Sequence, residues 1–256
     1  MTHAFDQLDR DGYLALGPVA DAATCAALKE EIFDWHRRQS ALRPPISAHH
    51  WGVHHFVEYP HTQALLASDW LHGFCEGLFS GQPWILHAIG ASINPPAGQG
   101  AYAHGSQWHR DSPTYRAAGR EYIIVMLFLD DFTVANGCTE VAPGTHLQVA
   151  VPPLEVLERD SVHATAPRGS ALAFFPDTVH RAGTNTTDQF RIGITMAITR
   201  PYLKPLMDYA RLLGLDQESR LSPRLAQVLG YNAKVPQSMA EWNAPPEQRF
   251  YKRGQG

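Results

Sequence analysis

The sequence predicts a mainly β domain, an antiparallel barrel or jelly roll, with α-helices flanking it. Two observations carry that prediction. From Trp84 onward, short apolar stretches rich in β-branched residues recur at 84–93, 122–129, 139–141, 171–175 and 191–199. Turn-formers separate them: Asn94-Pro-Pro-Ala-Gly98, Ala135-Asn-Gly137, Pro143-Gly144 and Pro176-Asp177. On either side of this β texture the apolar residues return at helical spacing.

In chain order, Asp11–Leu16 reads as a short strand. Asp21 then caps a helix running to about Arg38, with Leu28, Ile32 and Trp35 on one face. The stretch Ser47–Phe56, carrying His49, His50, His54 and His55, has no helical period and reads as a loop. A second amphipathic helix is predicted over Thr62–Leu78, with Leu66, Trp70, Phe74 and Leu78 aligned. Beyond the strands, Ser222 caps a helix, Pro223 takes its first position and Gly230 stops it. Asn243–Gly256 is polar and interrupted by Pro245-Pro246. The expected organisation is one domain: a helical layer over about residues 1–80, a β core over about 81–205 and a helical tail over about 206–256.

Composition narrows the functional classes. Apolar residues make up 44% and charged residues 18%, which is globular rather than disordered. A net charge of −4 without any long Lys/Arg block argues against a nucleic-acid partner. The acidic start Met1-Thr-His-Ala-Phe-Asp6 is no secretory signal, and no apolar run approaches a membrane span. Three widely spaced cysteines offer no disulfide framework, so a cytoplasmic, reducing location is expected. Without a secretory signal, the glycosylation pattern at Asn185-Thr-Thr187 carries no weight.

The chemistry lies in Gln107-Trp-His-Arg-Asp111 and, downstream, His180. His109 and Asp111 are two apart, so an extended segment points both side chains to one face. Two imidazoles and a carboxylate on one side of a metal ion, with the other side open, form the facial triad of non-haem iron oxygenases. Among 14 histidines, a His-x-Asp followed by a later His also arises by chance, so context decides. That context is Arg191. In Arg191–Thr199, Ile192, Ile194, Met196 and Ile198 alternate with Arg191, Gly193, Thr195 and Ala197. A period-two strand sets the arginine on the small-residue face, where its fork matches the carboxylate of a diacid co-substrate. A solvated surface arginine is the plainer alternative, and periodicity leaves both open.

Four blocks resemble the phytanoyl-CoA dioxygenase family: Asp11–Leu16, Gln107–Asp111, Leu129–His146 and Arg168–Tyr202. The likeness covers most of residues 8–205. It implies a double-stranded β-helix, cupin-like core, with Fe(II) on His109, Asp111 and His180. It also implies 2-oxoglutarate with its distal carboxylate on Arg191, Gln107 and Thr139 as further contacts, and O₂ as co-substrate. Two departures stand out. Ala135 replaces an acid usual before Asn136-Gly137, which puts local loop contacts in doubt. Ala182 lacks a hydroxyl that some relatives use to hold 2-oxoglutarate, which shifts weight onto Arg191, Gln107 and Thr139. Asp111 occupies the place that related halogenases leave for chloride, which favours hydroxylation or another hydrogen-abstraction outcome such as desaturation, cyclisation or epimerisation.

The expected activity is hydroxylation of a small organic molecule, in secondary-metabolite biosynthesis, with 2-oxoglutarate converted to succinate and CO₂. A fatty acyl-CoA substrate would favour a basic patch, to which a net charge of −4 with scattered Lys/Arg gives little support. A non-catalytic cupin-like metal-binding protein would not need Arg191, and a metallohydrolase would need a further glutamate as general base. Arg110, Arg116 and Arg181 are surface charges or receptors for an anionic substrate. Tyr102, Trp108, Tyr115 and Phe128 are candidate pocket aromatics, more in keeping with core packing. The residues 94–106 are a candidate lid, Trp51 and His55 are further candidates for touching substrate, and the oligomeric state is left open.

Overall fold

The computed structural model describes residues 2–42, 52–99, 105–112, 115 and 119–255. In chain order its main elements are α1 (Thr2–Asp11), β1 (Tyr13–Leu16), α2 (Ala22–Leu42), β2 (Gly52–His54), α3 (Pro60–Leu66), α4 (Asp69–Leu78), β3 (Ile85–Asn94) and β4 (Tyr122–Phe128). There follow β5 (Thr139–Val141), α5 (Leu154–Asp160), β6 (Val162–His163), β7 (Ala171–Phe174), β8 (His180–Ala182), β9 (Arg191–Thr199), α6 (Tyr209–Leu213), α7 (Pro223–Val228) and α8 (Met239–Trp242). Among the described residues no helix is long and apolar enough to cross a membrane, and Cys25, Cys75 and Cys138 are free and buried.

Two compact units emerge, each assembled from separated stretches. The first comprises residues 1–56, 89–119 and 123–196. Its large sheet runs β1-β7-β4-β9-β3-β2 and its small sheet β6-β5-β8. The pairs β1–β7, β4–β7, β2–β3, β5–β6 and β5–β8 are antiparallel. Their inner faces meet: Phe174 of β7 lies 4.7 Å from the His180 ring of β8, and the Thr139 hydroxyl of β5 donates to Met126 Sδ of β4 at 3.5 Å. That is the mostly antiparallel jelly-roll core expected from the short strands.

Helix α2 is capped as its sequence predicts, with Thr24 N–H donating to Asp21 Oδ1 at 2.8 Å. Hydrogen bonding from Thr24 holds the Asp21 carboxyl below its ordinary range. Leu28 and Ile32 of its inner face are fully buried, each adding about 1.5–3 kcal/mol of apolar burial. The Lys29–Asp130 ion pair at 2.6 Å ties the helix to the segment after β4.

The second unit comprises residues 57–88, 120–122 and 197–256. Here the single helix expected over Thr62–Leu78 is two helices, α3 and α4. Ser68 has extended backbone (ψ 147), and its hydroxyl donates to the Leu65 carbonyl at 2.7 Å. A serine that bonds the preceding turn competes with helix continuation. The apolar period runs through the break unchanged, since Leu65, Leu66, Leu71, Phe74, Cys75 and Leu78 are all buried. Ser222 accepts from Leu225 N–H and opens α7 at Pro223, as its cap signal requires.

Candidate metal centre

Residues 107–111 run along the free edge of the small sheet. His109 and His180 exchange both backbone hydrogen bonds, at 3.1 and 3.0 Å, as an isolated bridge. Asp111 and Ser112 then donate their N–H groups to the Pro176 carbonyl. His180 starts β8 directly opposite Val141 of β5. The three side chains therefore converge from the two sides of one short ladder, although His109 and Asp111 lie in an edge segment rather than a regular strand.

The imidazoles are oriented by their own backbone neighbourhood. His109 Nδ1–H donates to the Gln107 carbonyl at 2.7 Å, and His180 Nδ1–H donates to the Thr178 carbonyl at 3.0 Å. Each bond holds the proton on Nδ1 and presents Nε2 as the lone-pair nitrogen. Both Nε2 atoms face Asp111, at 3.5 Å from Oδ1 and 3.6 Å from Oδ2. One ligand atom from each residue lies within 4.8 Å of the others. Two donors each about 2.1 Å from one ion can stand up to ~4.2 Å apart, so both nitrogen–oxygen separations allow a shared ion. The Asp111 side chain is 31% accessible against 8% for His180, so the cluster is open on the carboxylate's side. Two nitrogens and one hard anionic oxygen, with an open side, fit a divalent iron-type ion.

Electrostatics separate the two histidines. Burial pulls His109 down, but hydrogen bonding to Asp111, its charge and the Gln107 carbonyl outweigh this, leaving the imidazole above its ordinary value. Burial holds His180 below that value, with the Asp111 charge opposing and His109 reinforcing.

Arg191, at the head of β9, is fully buried. Its Nη2 donates to the Gly137 carbonyl at 2.8 Å and its Nη1 to Ser92 Oγ at 3.3 Å. The guanidinium lies 4.5 Å over the Phe132 ring, itself stacked on Phe128 at 3.8 Å. The small-residue face is a steric requirement: a Cβ on Gly193 would stand 3.1 Å from Phe132 Cζ and 3.3 Å from Met126 Cγ. Thr139 is buried opposite Ala182 on the β5–β8 ladder. Gln107 is exposed, and its visible contribution is the carbonyl that orients His109.

Other sequence candidates find structural partners. Arg110 clamps the carbonyls of Thr145, Gln148 and Val149. Trp108 packs against Ala142, Leu157 and Val179, and Phe128 is core. Arg181 pairs with Glu140. The described end of the histidine-rich stretch is β2, not loop: Gly52, Val53 and His54 pair with Ser92, Ala91 and Gly90. His49, His50, Trp51, Tyr102, Arg116 and part of the candidate lid, residues 100–104, lie outside the described residues.

Asn94 carries no site pattern in the sequence and is a site residue only in the fold. Its carboxamide donates to the Gly183 carbonyl at 3.0 Å. Asn185 is buried, donating to Gln189 and Asn94 carbonyls and accepting from Thr187. This knot fixes Gly137, where a Cβ would fall 2.2 Å from the Gly183 carbonyl oxygen, and so aims the Gly137 carbonyl at Arg191. The Asn136-Gly137 turn was the available signal.

The chain resembles known proteins over most of its length. The family model described as phytanoyl-CoA dioxygenase (PhyH) matches residues 8–193. The uncharacterized protein Rv1501 of Mycobacterium tuberculosis is 28% identical over 98% of this chain and 94% of its own. Among solved structures, the non-heme alpha ketoglutarate dependent carbocyclase SnoK from nogalamycin biosynthesis matches with a TM-score of 0.64 at 18% identity, over 87% of this chain and 92% of its own. The epimerase SnoN in complex with Fe3+, alpha ketoglutarate and nogalamycin RO matches with a TM-score of 0.60 at 19% identity, over 77% and 82%. At such identities the structural likeness speaks for the fold.

Proposed function

From its membership of the phytanoyl-CoA dioxygenase family, to which this chain belongs, we propose that this dioxygenase binds Fe(II) through His109, Asp111 and His180 and hydroxylates a small organic molecule with 2-oxoglutarate and O₂. The observation that carries the reading is the convergence of two Nε2 atoms on the Asp111 carboxylate, with both Nδ1 atoms turned onto backbone carbonyls. A bound ion would let O₂ oxidise 2-oxoglutarate and a substrate C–H bond together, and the balance is R–H + 2-oxoglutarate + O₂ → R–OH + succinate + CO₂.

The chain's own residues do the holding. Asp111 contributes one negative charge against the ion's two. The Gln107 and Thr178 carbonyls keep both imidazoles in the ligating tautomer. Arg191, held by Gly137 and Ser92, offers a pre-set cation for the far carboxylate of a dicarboxylate. Thr139 and Gln107 stand as further contacts. Asp111 speaks against halogenation, because its carboxylate fills the place a halide would need. A second outcome, ring closure or epimerisation by the same chemistry, draws support from the structural neighbours SnoK, a carbocyclase, and SnoN, an epimerase. A place in small-molecule biosynthesis draws support from the same two neighbours.

The test is an anaerobic titration of metal-free protein with Fe(II) and then 2-oxoglutarate, followed in the visible spectrum. A charge-transfer band that needs both additions and is lost in His180→Ala is expected. Iron binding without a band would remove Arg191 as a co-substrate anchor and favour the metal-binding-protein or hydrolase readings.

A further inference from the structure

Residues 107–111 pair with the edge of β8 through one isolated bridge, His109–His180, rather than through a regular strand. Further ties lie to either side of His109: Ala182 N–H donates to the Gly105 carbonyl at 2.6 Å, Asp111 N–H donates to the Pro176 carbonyl at 2.9 Å, and Arg110 bonds the carbonyls of Thr145, Gln148 and Val149. Two histidines meant to share one ion need their relative register closely fixed.

The outer side of the same ladder adds a side-chain tie at the bridge itself. Residues neighbouring the two histidines, Trp108 and Arg181, meet there, with the Arg181 guanidinium 4.4 Å over the Trp108 ring. Arg181 Nε and Nη2 both donate to Glu140 Oε2, at 3.0 and 2.8 Å, from the position directly opposite on β5. Glu140 is nearly buried, its side chain 11% accessible. Gly183 makes room for it, since a Cβ there would lie 3.1 Å from Glu140 Oε1. Beneath the stack, Trp108 is anchored on Ala142, Leu157 and Val179. A planar guanidinium can stack on an indole and bond a carboxylate at its edge at once, which a lysine cannot do.

We infer that Glu140, Arg181 and Trp108 form a latch across the outer side of the small sheet that holds His109 in register with His180, making Arg181 a positioning residue of the metal centre. Its consequence for iron rests on the proposed ligand assignment; its consequence for the backbone does not. Loosening the latch lets residues 107–111 swing from β8, so the two Nε2 atoms no longer meet at one point. Partners outside the ligand set typically change metal affinity about 10–100-fold.

Two measurements test it on the full chain. Anaerobic Fe(II) titration should show affinity falling about 10–100-fold in Arg181→Ala and Trp108→Ala. Arg181→Lys, which keeps the charge and loses the stack, should recover only part, whereas Trp108→Phe, which keeps a flat ring, should recover most. Amide hydrogen exchange of the metal-free protein should rise in the segment 105–112 of Arg181→Ala and stay unchanged in β4. Unchanged exchange there together with unchanged Fe(II) affinity would overturn the latch. A rise spread over β4 as well would also overturn it, by showing general loosening. If the wild-type chain binds no Fe(II), the ligand assignment fails, and the exchange pattern still decides whether the latch exists.

Discussion

At the His109–Asp111–His180 corner, three side chains from an edge segment and a three-residue strand meet around a carboxylate that is one-third open. At the other feature of the barrel interior, Arg191 heads a nine-residue strand, is fully buried, and is gripped by a carbonyl, a hydroxyl and an aromatic face. The first is polar, short-elemented and accessible, and its order depends on neighbours. The second is embedded, and its order is inherited from the large sheet. The difference separates two tasks: a corner that must admit ligands from solvent, and a cation whose electrostatic reach grows because water is excluded.

The largest expected effect breaks the corner. Asp111→Ala removes the carboxylate that both imidazoles face, and Fe(II) affinity should fall by about a hundredfold or more, with succinate formation lost. Wild-type iron binding in that variant would end the ligand assignment. Arg191→Lys should leave iron binding intact and raise the 2-oxoglutarate requirement about 10–100-fold, as expected for losing a two-pronged charged bond. If the lysine variant instead loses iron, the two features are one site and the contrast collapses. Gly193→Val should leave the corner's metal affinity near wild type while destabilising the fold by about 1–3 kcal/mol in denaturant titration, because its Cβ meets Phe132 and Met126.

The smallest effect is a control from outside both features. Burial, and next the charge of Arg224, hold His72 down to about 4. An unfolded histidine titrates near 6.5, so between these values the unfolded chain binds the extra proton. Stability present above about pH 6.5 is therefore lost as the pH falls toward 4. His72→Phe, which keeps a ring against Trp84, should flatten that part of the acid-unfolding curve without changing iron binding.

What could be read from the chain followed what is local. The period-two alternation in 191–199 gave the strand's bounds and put Arg191 on the small-residue face, and the structure decides that it is buried. His109, Asp111 and His180 were legible as a ligand pattern, and the structure draws them together. The break at Ser68 was not legible, because the hydrophobic period runs straight across it and only one hydroxyl–carbonyl bond ends the helix. Strand β8 was missed as well, since three residues starting at a histidine carry no period. Trp108, Arg110 and Arg181 looked like pocket or surface groups. Their partners, Val179, Thr145 and Glu140, lie some 35–71 positions away in the sequence, and only the fold makes those pairs.

His109 and His180 stand far apart along the chain and become neighbours only through one bridge on a short ladder. An unfolded chain offers no comparable cage, so an ion held there grips the folded form alone. Free iron at a hundred times its dissociation constant would add about 2.7 kcal/mol to the folding free energy. The amount of this protein surviving in a cell would then follow the iron supply, with scarcity exposing it to proteolysis.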